Sequence, residues 1–203
     1  MFKVLAALFR KILLLLVVIF TLSLITGILF LYLSPQFGGR HSKERLDKFS
    51  NSVNFRDGKF HNLITTNMDF AMGKMVAEMF KPHPNRSPES PVPVLKLNQS
   101  FFDKPVDSRL TWFGHSTFLL ELDEKYILLD PMFGPSPAPH PMLGPQRYSA
   151  EMPLEIEQLP FIDVVILSHD HYDHLDYGSI KKLKDKVGKF YAPLGVGSHL
   201  LAW

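Results

Sequence analysis

The sequence predicts an α/β domain preceded by a single transmembrane helix. Three features carry that reading. Residues 12–33 run without a charged side chain. From Arg109 onward apolar and less apolar residues alternate, broken by Asp123-Glu124-Lys125, which is the pattern of strands joined by a turn. The β-branched run Phe161–Leu167 is followed by Ile180, Leu183 and Val187 at the spacing of one helix face, so a buried strand gives way to a short helix.

The apolar run comes first in the chain. At 1.5 Å per residue, 22 residues span about 33 Å, enough to cross the hydrocarbon core of a bilayer. A cleaved signal peptide would have a shorter apolar region, about 7–15 residues, with a small-x-small site behind it. Leu31-Tyr32-Leu33-Ser34-Pro35 offers no such site, so an uncleaved single-pass anchor in the membrane is expected, with the lipid bilayer as its partner. A core helix is rarely apolar all round at this length. Lys3, Arg10 and Lys11 precede the run, and Arg40, Lys43, Arg45 and Lys48 follow it. This balance leaves the side of the catalytic domain open under the positive-inside rule; Arg10 and Lys11, abutting the helix, tilt the choice towards a cytoplasmic N-terminus.

Residues 34–60 are polar and turn-rich, with Gly38-Gly39 and Asp57-Gly58 as turns, and read as a juxtamembrane connector. Over 66–80, Phe70, Met72, Met75, Val76, Met79 and Phe80 recur near helical spacing. An amphipathic, Met-rich helix packed on the catalytic half is expected, with contact to lipid or acyl chains as the alternative. Residues 82–93 carry five prolines and read as a stiff, extended linker separating the membrane-proximal part from the catalytic half. The organisation expected is therefore an anchor over 1–33, a juxtamembrane segment over 34–107 and a catalytic segment over 108–203. Within the last, the proline-rich stretch 131–145 reads as an irregular loop able to line a substrate mouth.

Composition narrows the function. The formal net charge is +2, too small for nucleic-acid binding through bulk electrostatics. There is no cysteine, hence no disulfide framework and no thiolate metal site.

The chemistry lies in Ser168-His169-Asp170-His171-Tyr172-Asp173-His174, at the carboxyl end of the buried strand, where α/β layers commonly hold their sites. Imidazole nitrogens and carboxylate oxygens bind Zn²⁺ at about 2.0–2.2 Å. His169 and His171 are two apart, so in extended chain they point the same way and can share one metal. Asp173 and His174 are adjacent, fan apart, and can address a second metal or a bound water. The alternative is a metal-free polar loop.

His169-Asp170-His171-Tyr172-Asp173-His174 is similar to the signature of the metallo-β-lactamase-fold hydrolases. Thr111–Glu121, Leu128–Phe133, Gly144–Tyr148 and Tyr191–Gly197 resemble flanking segments of one branch, which contains the phospholipase D that hydrolyses N-acyl-phosphatidylethanolamine and its bacterial relatives. The resemblance covers roughly residues 108–203, and more weakly 54–63. It implies an αββα sandwich of two similar halves, of which about one is present here. It implies two Zn²⁺ per complete site: His169 and His171 on the first, Asp173 and His174 on the second, with three further ligands expected beyond Trp203. Asp173 would also orient or deprotonate the attacking water. Asp130, ending an apolar strand, is either a carboxylate that orients the metal loop or a simple turn residue before Pro131. His115 resembles a histidine near the pocket that is not a ligand, and a structural role is expected for it. His140 is expected to be exposed, and His199 to be structural or on the surface.

The resemblance thus implies a membrane-anchored, zinc-dependent hydrolase, a phosphodiesterase acting on an N-acylated phospholipid. A lactonase or other ester hydrolase of the same fold is the alternative. A truncated, inactive membrane protein is another. The chain is expected to be the N-terminal portion of a longer polypeptide and inactive alone, with one face of its sheet left without a partner layer.

Overall fold

The computed structural model describes residues 2–64, 71–104 and 106–203. It opens with helix α1, Phe2–Leu33. This helix is long and apolar enough to cross a membrane. Its described side chains are exposed on every side except at Phe30, which is half-buried. From Ile12 on the helix carries no charge and, apart from Phe30, is exposed, which suits an apolar medium.

Helix α2, Lys43–Phe49, starts at Ser42, whose hydroxyl accepts from the Arg45 amide; Glu44 lies in its first turn and Lys48 in its last, both matched to the helix dipole. Strands β1, Phe55–Arg56, and β2, Lys59–Phe60, form a hairpin. Its turn has Asp57 at φ 53° and Gly58 at φ 75°, the paired positive angles that the right-handed strand twist favours. Phe49 is buried where its ring meets Phe55 and Phe60.

Helix α3, Met72–Met79, occupies part of the expected amphipathic stretch, and residues 66–70 lie outside the described residues. It corrects one expectation: no residue of α3 is buried, so its Met face is not packed on the domain over 108–203. The proline-rich stretch is also more than a spacer. Val92 donates its amide to Tyr148 O at 2.7 Å and Leu97 to Pro153 O at 2.8 Å, which ties the extended chain along the 148–153 loop.

The sheet comprises β3, Ser108–Trp112; β4, Phe118–Leu122; β5, Lys125–Leu129; β6, Ile162–Ile166; and β7, Val187–Tyr191, in that spatial order. The first three are antiparallel neighbours, whereas β5, β6 and β7 run parallel. Helix α4, Tyr177–Leu183, links β6 to β7, and α5, Gly197–Ala202, follows β7. One sheet face is closed. Across it the register aligns Thr111, Leu119, Leu128, Val165 and Phe190. The core there includes Leu154, Ile156, Leu159, Ile180 and Leu183. The other face carries the rows Leu110-Leu120-Ile127-Val164-Lys189 and Trp112-Phe118-Leu129-Ile166-Tyr191, whose members are exposed or half-buried.

Lys186 fastens α4 to the closed side. Its ammonium donates to the carbonyls of Ile156, Glu157 and Leu159 at 2.5–3.1 Å. Burial pushes its pKa down.

Candidate metal centre

Strand β6 ends where its neighbours end, and the ladder closes just past it: Leu167 N donates to Tyr191 O and Asp130 N to Ile166 O. The six residues from His169 to His174 then lie in the link, 167–176, to α4. His174 N and Leu175 N both donate to His171 O, which coils the loop into a single tight turn. Leu175 is buried beneath it and Asp176 caps α4 by accepting from Ser179 N. The turn is thus pinned at both ends while its polar side chains face outward from the sheet's carboxyl edge.

That turn gathers the sequence-predicted residues into two groups. His169, His171 and Asp173 offer ligand atoms within 4.8 Å of one another, and so do His115, Asp173 and His174. Asp173 is common to both. The rings of His169 and His171 meet edge-on at 4.5 Å between centroids, and those of His169 and His174 lie 4.0 Å apart.

Asp130 lies beneath them at φ 42°. Its Oδ1 accepts from Ser168 N at 2.7 Å; its Oδ2 accepts from Ser168 Oγ at 2.8 Å and from His174 Nδ1 at 2.9 Å. Because Nδ1 donates to a carboxylate, the Nε2 lone pair of His174 is the one left to ligate. Ser168 Oγ also stands 2.9 Å from His169 Nδ1. Thr117, fully buried, donates to Asp130 O and accepts from Met132 N, fixing the backbone on either side of the carboxylate.

The loop between β3 and β4 supplies a residue whose contact the sequence did not reveal. Gly114 at φ 94° and His115 at φ 47° turn the chain back on itself. Ser116 Oγ then donates to Asp173 O at 2.9 Å, and His115 Nε2 donates to Asp173 Oδ2 at 2.7 Å. While Nε2 carries that proton it cannot ligate, so His115 here holds the carboxylate. Burial would raise the Asp173 carboxyl, but the His115 hydrogen bond, a local backbone hydrogen bond and the neighbouring His174 and His115 charges outweigh it, and the group lies below its ordinary value. His140, expected to be exposed, is half-buried against the Phe30 ring.

The chain just after α1 walls the same site. Trp203 Nε1 donates to Pro35 O at 2.7 Å, Phe37 packs edge-on to Tyr172, and His41 Nδ1 pairs with Ser198 Oγ at 2.8 Å. The close approach needs Gly38 and Gly39: a Cβ at Gly38 would lie 1.8 Å from His199 Nδ1, and one at Gly39 2.4 Å from Ser198 O. His199 is half-buried here, and burial pushes its pKa down. The Oε1 of Gln36 is buried with no hydrogen-bond partner among the described residues. A cavity of about 450 Å³ lies between this wall and the turn, bounded by Gln36, His171, Asp173 and His199. A second, of about 470 Å³, opens from Asp173 and His115 between Trp112, Met132, Pro137 and Tyr148. Arg147 borders it, donating Nε to Gly134 O at 2.8 Å and Nη2 to Met132 O. Burial pushes the pKa of the Arg147 guanidinium down, and the nearby Asp176 charge acts against that.

Residues 125–203 match the Beta-lactamase superfamily domain. An uncharacterized protein of Mycobacterium tuberculosis is 39% identical over 160 residues, covering 75% of this chain and 42% of that protein. An N-acyl-phosphatidylethanolamine-hydrolyzing phospholipase D of Caenorhabditis elegans is 33% identical over 110 residues, 53% of this chain and 31% of that enzyme. A metal-dependent hydrolase of Saccharolobus solfataricus is 28% identical over 95 residues, 46% of this chain and 36% of that protein. The chain therefore spans less than half the length of these curated relatives.

Proposed function

We propose that this chain, whose residues 125–203 carry a β-lactamase superfamily domain, serves in its complete polypeptide as a membrane-anchored, zinc-dependent hydrolase of a phosphodiester in an N-acylated phospholipid. The observation that carries this reading is the gathering of His169, His171, Asp173 and His174 by one turn, with the Asp173 carboxylate held in place by His115. The donor set fits: imidazole nitrogen and carboxylate oxygen, without thiolate, suit zinc and its divalent neighbours. His169 and His171 would hold one ion, and Asp173 and His174 the other. When bound, such a pair supplies Lewis acidity that makes water nucleophilic near neutral pH and offsets charge growing on the substrate oxygens.

The chain's own groups do the rest. Asp130 fixes the His174 ring by taking its Nδ1 proton in a hydrogen bond. His115 holds the Asp173 carboxylate, and Asp173 orients or deprotonates the attacking water. Arg147, cationic and borne on carbonyls, would attract an anionic ester to the apolar cavity beside Asp173. Trp112, Met132 and Tyr148 suit an acyl chain there better than the small polar ring of a lactone. The phospholipase D relative is named for the same class of substrate, and α1 would keep the site at the bilayer.

The test uses the complete polypeptide in vesicles containing N-acyl-phosphatidylethanolamine. Release of phosphatidic acid that stops on chelation and returns with zinc is the expected outcome. Hydrolysis of a lactone with the phospholipid left intact would move the assignment to the lactonase reading. Full phospholipid turnover after prolonged chelation would defeat the metal reading altogether.

A further inference from the structure

We infer that the loop over residues 131–146 is a second membrane contact, seated in the lipid surface beside the end of α1; this rests on the reading of α1 as a membrane span. Phe30 is the one described residue of α1 that is not exposed. Its ring meets His140 of the loop at 6.5 Å between centroids and Phe37 at 5.4 Å. Phe30 lies three residues before the helix ends at Leu33. At 1.5 Å per residue it sits about 27 Å from Ile12, so a core about 30 Å thick that begins at Ile12 includes it. A loop that touches Phe30 therefore reaches back alongside the helix to the level of the bilayer boundary. Tyr32, with the Arg40 guanidinium 5.8 Å over its ring, marks that boundary as aromatic and cationic side chains do at membrane interfaces.

The loop is built for that medium. From Pro131 to Gln146 it has no Lys, Arg, Asp or Glu. Lipid penalises every unpaired backbone N–H, and here six of the sixteen residues are prolines, which have none. Four other loop groups are paired within the loop: Leu143 N with His140 O, Met142 N with His140 Nδ1, Ser136 Oγ with Leu143 O, and Gln146 Nε2 with Pro141 O. At its tip Met142 is 86% exposed and Leu143 48%. Two neighbouring apolar side chains displayed on an uncharged, internally bonded loop fit acyl chains better than water. Pro137 of the same loop borders both cavities at the metal turn, so a seated loop would open the site onto the lipid surface.

The chain contains no cysteine, so single labels can be placed without background. Nitroxides on Leu16→Cys, Met142→Cys and Asp185→Cys, three exposed positions, are compared in phosphatidylcholine–phosphatidylglycerol vesicles by collision with oxygen and with an aqueous nickel chelate. The expected result is loss of nickel collisions and gain of oxygen collisions at Met142→Cys and at Leu16→Cys, in the middle of α1, with the reverse at Asp185→Cys. A label at Met142 as nickel-accessible as that at Asp185, with Leu16 shielded, would overturn the inference and leave the membrane span standing. Nickel access at Leu16 would overturn the span and the inference together.

Discussion

The two faces of the five-stranded sheet are made from the same kinds of residue and are treated differently. On the closed face Leu128 and Val165 have no exposed surface and Leu119 has 2%. On the open face Leu110 is 61% exposed, Trp112 58% and Tyr191 50%. A sheet meant to keep one face wet alternates apolar and polar residues, whereas parallel strands buried on both sides are apolar throughout. Strand β5, with Ile127-Leu128-Leu129, and β6, with Val164-Val165-Ile166, follow the second pattern. The difference shows that strand composition reports how many layers a sheet is built to receive, while exposure reports how many it has. The His169–His174 turn sits at the carboxyl edge shared by both faces, and Asp130, which anchors it, directly follows β5, whose Leu128 is buried in the closed face.

The strongest way to test that dependence is to empty the closed face. Leu128→Ala removes a fully buried side chain from the row that also contains Leu119 and Val165, and should lower the unfolding free energy by about 2–5 kcal/mol. Urea titration in detergent, followed by tryptophan fluorescence, would read it. A loss under 1 kcal/mol would mean that this face is not the structural core.

Asp130→Asn sharpens the comparison at the edge. Asn tolerates the left-handed backbone at this position, so φ 42° is not a reason for misfolding. What changes is the charge facing His174 Nδ1 and Ser168. Metal affinity of the complete polypeptide should fall about 10–100-fold, read by competition with a chelating dye. Unfolding by urea should move far less than for Leu128→Ala. Unchanged affinity would return Asp130 to the role of a turn residue.

Much of this was legible in the chain, for local reasons. Strand β6, the turn and α4 are consecutive, so periodicity and the His-x-His-x-Asp-His spacing locate them together. Asp130 stood out because it ends an apolar strand. Contacts between distant segments left weaker marks. His115 meets Asp173 across 58 positions and His41 meets Ser198 across 157, and no local pattern announces either. Gly38-Gly39 did carry a signal, but one with two meanings: glycine permits turns and also close approach, and here it is the packing against His199 and Ser198 that forbids a side chain. The Met-rich stretch misled because helical spacing fixes which residues share a face and not what covers it. α3 is exposed throughout its length.

A smaller effect is expected at the far end of the sheet. The Asp163 carboxyl is held below its ordinary value by the hydrogen bond from Tyr126 N and by Lys125. A carboxyl depressed in the folded state adds stability above its unfolded pKa, about 3.9, and that stability is lost as pH falls through the folded value. Thermal unfolding followed from pH 6 to pH 2 should therefore fall on acidification, and Asp163→Asn should flatten part of that slope. An identical slope in both proteins would show that this tie does not contribute.

The smallest change is expected on the open face. Ile166 ends β6 and is 41% exposed, although it is hydrogen-bonded into the sheet between Leu129 and Tyr191. Ile166→Ser in this chain takes away only part of a buried side chain, so the loss of stability should stay within about 1 kcal/mol. The same substitution in a longer polypeptide whose second layer closes this face would bury a hydroxyl without a partner and remove a packed side chain, costing about 2–5 kcal/mol by the logic that applies to Leu128. Urea titration of both proteins gives the contrast. A large loss in the short chain would mean that its own residues already cover this face, and equal small losses in both would mean that the apolar rows of β5 and β6 serve something other than a second layer.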